Sequence, residues 1–439
     1  MRKIILFLLL FTILLGLPTT IYAEEKQIDT IKIGLFYGSS AKESIVIGSE
    51  NGFYIGAEVD GEFIEDAELS DSEIEVSAGD GTDIIIGTYT YSADQFPTLF
   101  PVDEGAVSIN GVKYRGGVQF KRIDGGNLTV INVVGIEPYL YSVIGKEMSP
   151  SWNIEALKAQ AVCARGFAIS NYNKFAKYGF NLDDTTTSQV YKGISTETES
   201  TRRAADETKG QVLKHSESII QSIYCASMGG ATANAENVWG GSYPYLVSVV
   251  DPYENPKEAT RYSWEVTLTK DEIKKALASS GVNIGDIVSV TIDEQDDAGY
   301  VTKLTFHGTD GSYTAKRSSC RTIFGGKLHS QRYNIKGTEK VIPKITFEAD
   351  SIFSNNGNMT SAFGKGVWNI FNAISQGIKA EANDGASLTN ADEYTFVGNG
   401  WGHGVGMSQW GAKAMADQGH DYEDILTFYY TGTYLENIY

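Results

Sequence analysis

A chain of 439 residues with 36 basic and 55 acidic side chains carries a formal charge of −19. That balance opposes polyanion binding by simple electrostatics, so no nucleic acid partner is expected. The length suits a sizeable core and two or three domains, and the 25 Tyr and 6 Trp fit either a sugar-stacking cleft or a Tyr-filled β-rich fold.

Residues 1–23 read as an export signal: Arg2 and Lys3, an apolar run over residues 4–17, then a polar-to-small stretch ending in Ala23. The run is short for a membrane span, which needs about 20 residues. Cleavage after Ala23 is expected, with retention as an N-terminal anchor the alternative, because Ile21 is unfavourable at the −3 position. Cys163, Cys225 and Cys320 are too few and too scattered for a disulfide framework and read as buried thiols. Residues 24–126 read as a β-rich N-terminal domain, with strand-like runs at 31–37, 83–89 and 117–120 between Gly, Asp and Ser clusters.

An apolar strand at 128–134 then runs into a short helical turn ending on Glu147, followed by Met148, Ser149 and Pro150. Ser151 or Asn153 caps the next helix, in which Leu157, Ala161, Ala164 and Ala168 recur at helical spacing. So small-sided a face implies burial. Arg165 lies beside it and needs a carboxylate or an anionic ligand as partner. Glu147 is either an ordinary helix-end carboxylate or, at the edge of an apolar turn, one whose proton affinity burial raises into the general-acid range.

Residues 183–193 are polar and turn-like, with Gln189 and Tyr191 near their end; a helix fits 197–209, and strands fit 211–214 and 218–225. Gly229 and Gly230 then permit close ligand approach or a tight turn, and Trp239, Tyr243 and Tyr245 fit a sugar cleft or a core. The stretch 251–394 reads as an α+β insertion: a strand at 264–268, a capping box from Thr269 to Glu272, a helix to Gly281, strands at 287–292, 301–306 and 312–315, and a short helix at 317–324. Within its polar end, 367–382 fits one amphipathic helix. From residue 398 five glycines alternate with Asn399, Trp401, His403, Val405 and Met407. The Lys-Ser/Thr ending of a phosphate loop is missing, so a close-packed loop placing His403 and Gln409 in a site is expected. Helices through Ala412 to Ala416 and over 422–430 follow. The fold class is α+β: a mixed core in two parts, 127–250 and 395–439, with the insertion between them and the β-rich domain before.

The stretches EPYLYSVIGKEM, SPSW, NIEALKAQAVCAR, SQVYKG, YCASMGGAT and GWGHGVGMSQWGAKAMADQG resemble, in order, the stage II sporulation protein D family, which includes the amidase-enhancer proteins. The resemblance covers the chain from about residue 128 onward. It implies a lytic transglycosylase that cuts the MurNAc–GlcNAc bond of peptidoglycan and leaves a 1,6-anhydro-MurNAc end. Glu147 matches the catalytic glutamate; Arg165, Gln189, Tyr191, Tyr224, Ser227, Gly229, Gly230, His403 and Gln409 match positions around a substrate cleft. The implied partners are peptidoglycan glycan strands and an N-acetylmuramoyl-L-alanine amidase, and the implied place is outside the cell or at its wall. No cofactor is implied. Some relatives carry zinc on one histidine and two cysteines just before the Gln-Val-Tyr motif; Asp183 and Ser188 stand there instead, so no zinc is expected. A hydrolase would need two carboxyl groups, whereas this chemistry needs one. Two other readings are a non-catalytic wall-binding enhancer of an amidase and a cysteine hydrolase using Cys225 with His403 or His215.

Overall fold

Seven of the eight residues of Leu128–Gly135 are buried, as a strand covered on both faces requires. The computed structural model describes residues 28–59, 61–336 and 392–439; the expected export signal and the helix expected at 367–382 lie outside them. Leu128–Gly135 pairs antiparallel with Thr30–Phe36 on one side and Gly117–Arg122 on the other. The sheet continues through Thr98–Pro101, Phe53–Val59 and Glu62–Leu69, with Leu182–Asp183 at the opposite edge, seven strands in all. The boundary expected at residues 126/127 therefore falls inside one sheet. A six-stranded antiparallel sheet lies beside it, and Val76 and Ile84 of that sheet share one apolar core with Phe120, Val130, Tyr139 and Leu157. The strand expected at 83–89 is a hairpin, Asp83–Ile86 and Tyr89–Ser92, turning at Gly87 with φ 57°.

Helix α1 (Ile136–Glu147) is three turns rather than a short one. Pro138 sits in its first turn, where the missing N–H costs no helical bond. It stops where Met148 becomes extended, at φ −125° and ψ 155°, so Glu147 is the last helical residue. Helix α2 (Ile154–Ser170) is capped by Asn153, whose Oδ1 accepts from Glu155 N at 3.1 Å. Leu157, Ala161, Ala164 and Ala168 are all 0 % exposed. The expected buried face is real. Helix α3 (Glu199–Glu207), capped by Thr198, packs on both.

The glycine-rich stretch is explained by close contact. Gly400, Gly402, Gly404 and Gly406 all have positive φ, and a Cβ on Gly406 would stand 1.8 Å from the Ile223 carbonyl oxygen. That approach lets Met407–Ser408 pair in parallel with Tyr224–Cys225. The strand expected at 218–225 is consequently two short pieces, Ser218–Ile219 and Tyr224–Cys225.

The insertion has its own core around Trp264, Ile273, Leu304, Phe306 and Phe396. The capping box between Thr269 and Glu272 starts the helix Lys270–Ser279, while the short helix is only Ser319–Thr322. Glu393–Asn399 pairs along its whole length with Ser263–Thr269, so the insertion's sheet runs past residue 394. Helices and several sheets share the chain, a mixed α+β fold.

Candidate active site

Glu147 is mostly buried, with part of it open to solvent. Gln409 Nε2 donates to its Oε2 at 3.4 Å, and the Val190 backbone N–H also donates to the carboxyl. Burial raises its proton affinity above the ordinary carboxylate value, against the two hydrogen bonds and nearby Lys146, which favour the charged form. Gln409 Nε2 donates in addition to Gln160 Oε1 at 3.2 Å. Three separated segments thus meet at one carboxyl, the end of α1, the Gln-Val-Tyr stretch and the glycine-rich loop's exit, and α2 is joined to it through Gln409.

A second polar chain ends beside it. The Tyr139 hydroxyl donates to Gln189 Oε1 at 3.1 Å, and Gln189 Nε2 donates to the Tyr224 oxygen at 3.0 Å and to the Ala164 carbonyl at 3.3 Å. Since the Tyr224 oxygen accepts, its own hydrogen is left to be given to another group. Burial first, then the charge of Glu147, pushes the Tyr224 hydroxyl well above its ordinary pKa, so it stays a neutral donor. Trp152 and Trp410, both partly exposed, tilt against each other with centroids 4.7 Å apart. Their chain neighbours are the loop after Glu147 and Gln409 itself. A groove of about 520 Å³ lies against the same loop, lined by Pro150, Ser151, Thr198, Ser200 and Arg203.

Of the expected site residues, the structure bonds Gln409 to Glu147 and Gln189 to Tyr224, and sets Tyr224 where the Glu147 charge acts on it. The remaining expected site residues are held elsewhere, each for a physical reason. Arg165 is fully buried, and its guanidinium forks onto Glu137, Nε to Oε1 at 2.9 Å and Nη2 to Oε2 at 2.5 Å. Its partner is a carboxylate, but of the fold and not of a ligand. Tyr191 is buried between Tyr114 and Tyr139 and donates to Asn132 Oδ1 at 2.8 Å. His403 accepts from Val405 N–H through Nδ1 at 3.0 Å and gives its single ring hydrogen, on the other nitrogen, to the Tyr224 carbonyl. Burial, then Arg321, pushes its pKa down to about 4, so it is a neutral clasp with both nitrogens engaged. Gly229 and Gly230 have φ 64° and 102°, and a Cβ on Gly229 would stand 2.5 Å from Gly400 N. Those glycines, with buried Ser227, shape a turn against the glycine-rich loop.

Glu254 holds that turn. Its Oε2 accepts from Met228 N at 3.1 Å and Gly229 N at 3.0 Å, and the residue is 4 % exposed. Burial, then the neighbouring Asp251, pushes its carboxyl from 4.5 up to about 7. A raised folded pKa means the contribution to stability is intact below the ordinary carboxylate value and lost as pH rises through about 7. Glu254→Gln is accordingly expected to be more stable than the wild type by about 3 kcal/mol in mildly alkaline buffer and no more stable in acid, read from urea unfolding at the two pH values.

Asp183 and Ser188 do lie together, the Asp183 N–H donating to Ser188 Oγ at 3.3 Å, while Asp183 Oδ2 accepts from Tyr37 and Thr185 hydroxyls at 3.1 and 2.7 Å. Among the described residues no group of three or more His, Cys, Asp or Glu is placed to hold a metal. Sequence reasoning missed Gln160, Trp152 and Trp410. Gln160 had a signal: it is a polar residue on the same helical face as Leu157, Ala161 and Ala164.

Fold and site together define an α+β protein with a largely buried, protonatable carboxyl, Glu147, held by the Gln409 amide and the Val190 N–H. The chain belongs to the SpoIID family, whose model, described as Stage II sporulation protein, matches residues 124–215 and so includes α1, α2 and Glu147. The Amidase enhancer of Bacillus subtilis (strain 168) is 30% identical over 405 residues, 87% of this chain and 52% of that protein. An uncharacterized protein of Brachyspira hyodysenteriae is 30% identical over 335 residues, 76% of this chain and 75% of its own. Stage II sporulation protein D of Bacillus subtilis (strain 168) is 29% identical over 322 residues, 70% of this chain and 76% of that one. The chain spans about half the length of the Amidase enhancer.

Proposed function

We propose that the protein is an exported lytic transglycosylase acting on peptidoglycan glycan strands, with Glu147 as its acid and base. The observation that carries this reading is the lone carboxyl of Glu147: among the described residues, the groups acting on its proton are an amide, a backbone N–H and a lysine, and burial favours its acid form. Glu147 gives its proton to the glycosidic oxygen as the C1–O bond to the leaving GlcNAc breaks. The resulting carboxylate takes the proton of the C6 hydroxyl of MurNAc, and O6 bonds to C1 of the same sugar. The nucleophile belongs to the substrate, so neither a second carboxylate nor a positioned water is required. Tyr224 offers a neutral hydroxyl, and the Trp152–Trp410 pair offers apolar faces to sugar rings.

Mass spectrometry of products from purified peptidoglycan, intact and peptide-stripped, tests the proposal. Anhydro-muropeptides or anhydro-disaccharides from the wild type, and none from Glu147→Gln, are the expected result. Activity on peptide-stripped strands alone would make an amidase the natural partner. The second reading, a wall-binding enhancer of an amidase, is favoured by the named Bacillus subtilis relative that aligns with 87% of this chain. It replaces the first if folded protein binds both substrates and releases nothing.

A cysteine hydrolase is opposed by the burial of Cys225, which pushes its thiol up to about 12, where almost no thiolate exists at neutral pH. Cys225→Ala is expected to retain glycan cleavage, and native protein to resist iodoacetamide at all three thiols, read by intact mass.

A further inference from the structure

Gln160 is the polar exception on the buried face of α2. It is 0 % exposed, its Oε1 has one partner, Gln409 Nε2, and its own Nε2 has none. A buried amide with an unmatched N–H is costly, and methionine would fill the same space without that cost. What the amide provides is control over Gln409, whose two ends are nearly identical in shape and opposite in hydrogen-bonding sense.

We infer that Gln160 is a positioning residue for Glu147, acting through Gln409 as one half of a paired-amide switch. The inference rests on the reading of Glu147 as acid and base. In the described arrangement Gln409 Nε2 donates both to Glu147 Oε2 and to Gln160 Oε1, which suits an ionised Glu147. A protonated Glu147 has a hydrogen to give and needs an acceptor there. Rotating the Gln409 amide alone would set its oxygen against Gln160 Oε1. Rotating both amides removes the conflict: Gln160 Nε2 donates to Gln409 Oε1, and Glu147 donates to the same oxygen. Each arrangement leaves one Gln160 atom unmatched, Nε2 in the first and Oε1 in the second. Gln160 itself therefore favours neither, and the proton on Glu147 selects between them. The resting acid form thus meets an acceptor, which the glycosidic oxygen replaces when the proton is transferred, and the carboxylate left behind meets a donor once both amides turn back. Lys146 is the charged side chain acting on Glu147. The Tyr139 and Tyr224 hydroxyls beside it are pushed well above their ordinary pKa by burial, so the acid-range titration belongs to Glu147.

The side-chain amide NMR signals of Gln160 and Gln409 in the purified wild-type protein test this without any substrate. Both are expected to move through the acid range with one shared midpoint, equal to that of the Glu147 carboxyl carbon, and to stay flat in Glu147→Gln. Gln160→Met is expected to lower kcat about tenfold with KM changed less than about twofold. Amide signals that ignore the Glu147 titration would overturn the switch even if the glycan is cleaved. Amides that follow it in a protein releasing no products would leave the switch standing and overturn the catalytic reading instead.

Discussion

Glu147→Gln is expected to reduce glycan cleavage by about 10³-fold or more with little change in KM, because one group supplies the proton in bond breaking and removes it in ring closure, and such transfers are each worth about 10²–10⁴. The variant keeps one side-chain oxygen, able to accept from Gln409 as Glu147 Oε2 does, and changes almost no volume. Its fold is expected to gain. Burial raises the folded pKa of Glu147 above its unfolded value, so the native state favours the acid form; stability from this group is intact in acid and lost as pH rises through the folded pKa. A permanently neutral glutamine escapes that loss, and the variant is expected to be at least as stable as the wild type at neutral pH. Unfolding in urea alongside initial rates separates a lost proton from a lost fold. For the wild type, kcat/KM is expected to fall as pH rises through the Glu147 pKa, since the free enzyme must carry the proton. Glu147→Gln with more than about a tenth of wild-type activity would remove Glu147 from the chemistry.

How much of this was legible in the sequence depends on how far apart the partners lie. The strand before α1, the buried face of α2 and the Thr269–Glu272 capping box follow from neighbours within four residues and are present, and of the two caps open for α2, Ser151 and Asn153, the structure uses Asn153. Pairings across the chain were not readable. Leu128–Gly135 looked like the start of a core, yet it pairs with Thr30–Phe36, about a hundred residues earlier, which ties the β-rich region to the helices. The site divides in the same way. Motif positions around the cleft were nameable, but which side chains face it depends on partners elsewhere. Tyr191 turns away because Asn132 of the central strand accepts its hydroxyl; His403 is occupied because the glycine-rich loop folds back on its ring. The Gln160–Gln409 contact spans 249 positions, and nothing local announces it beyond an amide on an apolar face.

Arg165→Met is expected to cost about 3–5 kcal/mol of stability, as removing one partner of a buried ion pair does. The guanidinium joins four segments: Glu137 in the first turn of α1, the Ala205 carbonyl in α3 at 3.3 Å, the Gln211 carbonyl at the start of the following strand at 2.9 Å, and α2, which carries it. Glu137 Oε1 also accepts from Gly210 N at 3.2 Å, so the pair fixes the exit of α3 as well. Loss of the guanidinium leaves a carboxylate with a side chain only 10% exposed and removes a donor from the Gln211 and Ala205 carbonyls, the latter still accepting from Thr208. Arg165→Lys keeps the charge but not the planar fork and is expected to lose less, though measurably. Glu137→Gln added to Arg165→Met removes the stranded charge and is expected to recover part of the loss, a coupling that a double-mutant cycle in urea reads directly. The competing assignment of Arg165 as a substrate group makes the opposite forecast: an unmoved unfolding midpoint and a raised KM. Since Arg165 is 0 % exposed and all its observed bonds run to the protein itself, the midpoint is the quantity expected to move, with KM per folded molecule unchanged.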